Sequence, residues 1–132
     1  MGKAVLKRDD LIFPELSYEI VGCAYEVFNQ LGDGLKEIVY QKAMAVCFKN
    51  KGLEFKEQVY FEIKFDNEIV GKRFLDFVVK QQVVVELKRG GKYSKAHIDQ
   101  VVEYLKIKKL QLAILINFGN DGVVFKRLVN LY

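Results

Sequence analysis

Residues 70–88 read Val70-Gly71-Lys72-Arg73-Phe74-Leu75-Asp76-Phe77-Val78-Val79, Lys80-Gln81-Gln82 and Val83-Val84-Val85-Glu86-Leu87-Lys88. Two apolar runs flank three polar residues. Runs of this length, rich in Val and Phe, read as buried strands. So short a link makes them antiparallel neighbours. Each run carries an acid, and a charge in such a setting is costly unless it is paired or bound to a metal. Alternation puts Glu86 and Lys88 on one face, and puts Phe74 and Val78 on the face of Asp76. The Asp76 carboxylate is therefore expected to emerge from an apolar wall. Two acids beside an ammonium suit a hard cation: magnesium takes oxygen ligands and keeps several waters, so one or two carboxylates and a substrate phosphate suffice. Such an ion would acidify a bound water and polarise a phosphoryl oxygen. Lys88 would orient the attacking water or stabilise charge on the phosphate. The competing reading of the same residues is a structural salt bridge from Lys88 to Glu86 or Asp76.

Working outward, the spacing predicts a helix over 17–31, capped by Ser17 and striped by Ile20, Val21, Ala24, Val27, Phe28 and Leu31. Gly32-Asp33-Gly34 ends it. A second helix is expected over 35–51, with Gly52 as its C-terminal glycine. Strict alternation over 59–65 sets Val59, Phe61, Ile63 and Phe65 on one strand face, and Asp66-Asn67 reads as a turn. After the two central strands come a flexible basic loop through Tyr93, a helix over 96–108 capped by Ser94, and strands over 112–118 and 123–128. The order is ααβββαββ, an α/β fold with a mixed central β-sheet flanked by helices. The strand–helix–strand segment 83–118 calls for a parallel pair with a right-handed crossover.

The chain has 132 residues, 51% of them apolar, and a single proline. That suits one domain, over residues 16–132, behind a charged N-terminal arm at 1–15. A net charge of +4 permits contact with a polyanion without establishing it. Two cysteines, Cys23 and Cys47, and one histidine exclude a zinc set and read as reduced core thiols. No apolar run approaches the ~20 residues of a membrane span, and no signal-peptide core is visible, so a cytoplasmic location is expected.

Three further clusters stand out. Glu37 falls in the first turn of the second helix, with Tyr40 and Gln41 on its face; the plain reading is a carboxylate meeting the helix dipole. His97, Gln100 and Tyr104 share one face of the helix that follows Glu86 and Lys88. Such a row suits a partly wet, hydrogen-bonding surface, although a solvated face is the commoner explanation. Lys88, Arg89, Lys92 and Lys95 surround Gly90-Gly91, with Tyr93 offering a stacking face. Beside a metal, this loop would hold a phosphate backbone; elsewhere it is an ordinary solvated loop.

Taken in order, these motifs resemble the GxxExxY family, a branch of the PD-(D/E)xK nuclease-like superfamily. Gly34, Glu37 and Tyr40 match its naming motif. Asp76 matches the strand acid, and Glu86-Leu87-Lys88 the Glu-x-Lys signature. Gln100 and Tyr104 match the Gln-x-x-x-Tyr element shared with RecB-like exonucleases, and Leu115-Ile116-Asn117-Phe118-Gly119 is also similar to the family. The resemblance runs from about Leu16 to Asn130. One departure is Leu75, where a proline is expected. The resemblance implies a restriction-endonuclease-like core and a metal-dependent nuclease cutting DNA or RNA. Mg2+ or Mn2+ would sit on Asp76, Glu86 and the Leu87 carbonyl, with Glu37 approaching directly or through water. Lys88 would position the water and Gln100 would brace the site. Tyr40, His97, Tyr104, Arg89, Lys92 and Tyr93 are expected behind the site or against substrate. Nucleic acid is the expected partner, with self-association or a protein partner also open. The alternative is a catalytically silent module of the same fold that binds nucleic acid or protein.

Overall fold

The structure, a computed structural model, describes residues 12–130. Most of the expected arm, residues 1–11, lies outside the described residues. The elements are helices α1 (Pro14–Leu31) and α2 (Glu37–Asn50), strands β1 (Phe55–Phe65), β2 (Glu68–Val79) and β3 (Val83–Arg89), helix α3 (Lys95–Lys108), and strands β4 (Leu112–Phe118) and β5 (Val123–Val129). This is the expected order. Among the described residues, no helix is long and apolar enough to cross a membrane.

Helix α1 starts three residues earlier than the Ser17 cap implied. Pro14 takes the first turn, where its fixed φ fits and its missing N–H would have no partner anyway. Ser17 therefore lies inside the helix, buried, with its hydroxyl oxygen unpartnered among the described residues. The inward stripe is Leu16, Ile20, Cys23, Ala24 and Val27, and Leu31 falls outside it at 42% exposure. Helix α2 closes as expected: Gly52 adopts φ 72°, and the Leu53 amide reaches back to the Phe48 carbonyl at 2.9 Å.

The strands form one sheet in the order β1-β2-β3-β4-β5. All neighbours are antiparallel except β3 and β4, whose parallel pairing is permitted by the α3 crossover. Lys80 and Gln81 both take positive φ (53° and 58°), the mirror-image turn that matches strand twist in a tight hairpin. Helices α1 and α2 cover one face, over Phe77, Val83, Val85, Leu87 and Ile114. Helix α3 covers the other, over Leu75, Val84, Ala113 and Leu115. Buried from both sides, β3 and β4 need continuous apolar runs. Each large side chain so buried contributes about 1.5–3 kcal/mol. Phe48, Phe55 and Phe77 add an edge-to-face cluster.

Two expectations about faces need correction. Phe65 does not join Val59, Phe61 and Ile63. Phe65 closes β1 beyond that packed cluster and is 69% exposed. Phe74 likewise is exposed and does not wall Asp76, because Leu75 packs in the α3-side core while Phe77 packs in the other. The strand turns over at Asp76. Both cysteines are buried and free, and the Cys47 thiol donates to Glu26 Oε2 at 3.0 Å. Burial pushes both thiols up, which leaves them unreactive.

Candidate active site

The β2–β3 ladder runs from Val79↔Val83 to Phe77↔Val85 and stops. The next step in register brings Asp76 opposite Glu86, and there side chains replace the ladder. The Asp76 amide donates to Glu86 Oε1 at 2.6 Å, and the Leu87 amide donates to Asp76 Oδ2 at 2.8 Å. Parting strands leave amides that need acceptors, and the two acids supply them reciprocally. The carboxylates thus meet in the fork between the strands.

On the other side of β2, Gln58 stands opposite Asp76 at φ 47°, between the paired steps Glu57↔Phe77 and Val59↔Leu75. Its side-chain amide donates to Gln41 Oε1 at 3.1 Å and, more weakly, to Asp76 Oδ1 at 3.4 Å. This glutamine pair ties α2 and β1 to the acid. Gln41 shares the helix face of Glu37 in the sequence, but nothing there gives it a role. Gln58 precedes the alternating run and carries no signal at all.

Along β3, Val84 faces α3 whereas Val83, Val85 and Leu87 face α1 and α2. Alternation places Glu86 and Lys88 on the α3 side. His97, in the first turn of α3, bonds Glu86 Oε2 through Nε2 at 2.7 Å. The Ser94 hydroxyl accepts from the His97 amide at 3.0 Å, capping α3 as expected and fixing where that ring enters. Lys88 is half-buried beneath Gly91. Among the described residues it forms no ion pair, so the salt bridge to Glu86 or Asp76 is not made; His97 takes that place.

Electrostatics follow from this crowding. Burial, then the charges of Glu86 and Glu37, raise Asp76 to about 7; the Leu87 amide and His97 oppose the rise. The bond to Glu86 raises His97 against the effect of its own burial. Glu37 begins α2 and is exposed; its field reaches Asp76 and Tyr93, but it bonds neither acid.

The remaining candidates separate by contact. Tyr93 is anchored at its tip: its hydroxyl lies 2.7 and 2.9 Å from the Glu86 and Ile116 carbonyls, which share its one proton, and its ring packs at a steep angle with His97. Burial and the nearby acids push that hydroxyl up, so it stays a donor. It pins the loop expected to be flexible, helped by the Gly90 amide on the Phe118 carbonyl. Tyr40 is fully buried, stacked on Phe118 at 4.3 Å, with its hydroxyl on the Gly32 carbonyl at 2.6 Å; it locks the loop before α2. Tyr104 packs edge-on against Phe61 in the α3-side core. Gln100 is half-buried and makes no bond to Glu86 or Lys88. Arg89 and Lys92 are exposed.

Among the described residues, no cluster of three or more His, Cys, Asp and Glu side chains stands ready-made for a metal ion. The fork offers two carboxylates, and their chemistry fits a divalent cation. Asp76 and Glu86 are crowded enough that Asp76 resists ionising, so a cation between them relieves their repulsion. Each carboxylate oxygen keeps a lone pair beyond its present bond.

No curated protein matches this sequence. Among solved structures, the chain is similar to one titled "Crystal structure of SSO0001", with a TM-score of 0.52 and 17% identity. The likeness covers 89% of this chain but 57% of that one, and it concerns the fold. A mixed sheet with helices on both faces is consistent with a restriction-endonuclease-like core. The description matching residues 14–128, from the first residue of α1 into β5, is that of the PD-(D/E)XK nuclease superfamily, and to this superfamily the chain belongs.

Proposed function

We propose that this chain is a nuclease of the GxxExxY family that hydrolyses phosphodiester bonds of DNA or RNA with Mg2+ or Mn2+. The reading is carried by the reciprocal bonding of Asp76 and Glu86 in the strand fork. The two acids would hold the cation, with the Leu87 carbonyl completing the protein ligands and Glu37 reaching it through water. When bound, the cation supplies an acidified water and Lewis-acid polarisation of a phosphoryl oxygen.

The protein's own groups do the rest. Lys88, which no carboxylate among the described residues holds, orients the attacking water and offsets charge on the phosphate. His97 fixes Glu86 through their 2.7 Å bond, and Tyr93 holds the strand carbonyl behind it. Gln58 and Gln41 steady Asp76 from the α2 side. Arg89 and Lys92, exposed beside this centre, would meet neighbouring phosphates.

The test is a cleavage panel in Mn2+ covering single-stranded, duplex, flapped and branched DNA and RNA, with Asp76→Ala alongside. Metal-dependent cutting that disappears in the variant is expected. A complete lack of cutting by the folded wild-type protein would overturn the enzymatic reading and leave a binding module of the same fold.

A further inference from the structure

The sheet face that carries Glu86 and Lys88 continues across β4 and β5. In register, Glu86 lies beside Leu115 and Lys88 beside Asn117; those two in turn lie beside Lys126 and Val124. Adjacent strands are about 4.8 Å apart. The neighbouring surface therefore begins one strand from Glu86 and two from Asp76. It holds a cavity of about 310 Å3. Leu115, Asn117 and Val124 form its floor, and Tyr93 and Ile98 wall it toward the carboxylates. Lys92 and Lys126, both exposed, line it as well.

We propose that this cavity receives one unpaired nucleobase of the substrate strand, next to the phosphate held at the fork. The inference rests on the nuclease reading above and adds a substrate class to it. The lining is mostly apolar, which suits the face of an aromatic ring. The volume accommodates a single planar group. Lysines 88, 92 and 126 give the surroundings the charge that a flanking phosphate chain requires. Asn117 adds an amide, its Oδ1 buried and without a partner among the described residues, to meet the polar edge of a base once the side chain turns toward the cavity. A base within a duplex is stacked and paired, and cannot enter without being extruded. The site therefore selects single strands or locally unpaired segments.

Fluorescence anisotropy in EDTA tests this without any metal. The probes are a short single-stranded DNA, an abasic strand of equal length and charge, and a blunt duplex of the same sequence. Wild-type protein is expected to bind the base-bearing strand about tenfold more tightly than the abasic one, the lower range of one stacked base, and more tightly than the duplex. Val124→Glu and Val124→Lys both obstruct the floor but change charge in opposite directions. The base-over-abasic ratio should fall to about one in both, whatever happens to overall affinity. Thermal melts of both variants establish that they are folded. Equal binding of the two single strands by wild type, or a ratio unchanged in both folded variants, overturns the cavity's role. Cleavage in Mn2+ alongside such a failure leaves the nuclease reading standing; a base preference without cleavage does the reverse.

Discussion

Lys88→Ala is expected to lower the cleavage rate about 10²–10³-fold at saturating Mn2+ while leaving the fold and the melting temperature almost unchanged. The size follows from the loss of one charged group aimed at developing charge in a water-poor site. The small stability cost follows from the surroundings. Lys88 is half-buried, with its stem beneath Gly91, and makes no ion pair among the described residues. Removing such a side chain typically changes stability by under about 0.5 kcal/mol. Its freedom from Glu86 is unusual for a lysine so near two acids, and it follows from His97 occupying that carboxylate first. Single-turnover cleavage and a thermal melt, run on the same preparation, separate the two effects. A variant cutting at the wild-type rate removes Lys88 from the chemistry.

Asp76→Asn should destroy activity and yet stabilise the metal-free protein at alkaline pH. Asp76 is raised to about 7 from an ordinary value of 3.8. Between those values the folded protein holds a proton that the unfolded chain has released. Linkage then requires that the stability from this group, full below about pH 4, be lost as pH rises toward and past 7. The loss is on the order of 2–4 kcal/mol. Asparagine cannot ionise, and its side-chain oxygen still accepts from the Leu87 amide. Chelator-treated wild type should therefore lose stability from pH 5 to 8 relative to Asp76→Asn, and the variant should melt several degrees higher at pH 8. Mn2+ should restore wild type alone, because an ion that binds the folded state stabilises it by mass action. Parallel pH profiles in EDTA for the two proteins would contradict the crowding of the acids.

What the sequence revealed, and what it did not, divides by the range of the interactions involved. Local signals were sufficient for β4, whose bounds at Leu112–Phe118 are those read from its apolar run, and for the Ser94 cap of α3. The meeting of Asp76 and Glu86 was legible because a three-residue link leaves two strands little choice of register. The reversal of β2 at Asp76 was not. It lies opposite Gln58, which holds a left-handed conformation on the neighbouring strand, a choice with no local marker in a glutamine. For the same reason plain alternation sets Phe74 beside Asp76, whereas the structure leaves it exposed.

Tyr40 and Tyr104 illustrate a second limit. Both stand in motif positions that suggest a site, and both spend their rings on packing, against Phe118 and Phe61. Helical spacing places a side chain on a face but does not say whether that face meets solvent or another layer. His97 shows the converse. The sequence put it on the helix after Glu86, and only the three-dimensional path of the loop pinned by Tyr93 makes the two partners.

Nuclease activity here requires Asp76 and Glu86 to bind one divalent ion between them. Isothermal titration of Mn2+ at pH 8 into wild type, Asp76→Asn and Glu86→Gln reads this directly. One ion per chain should bind wild type, with heat that disappears in both folded variants. Wild-type affinity retained in either variant would contradict it.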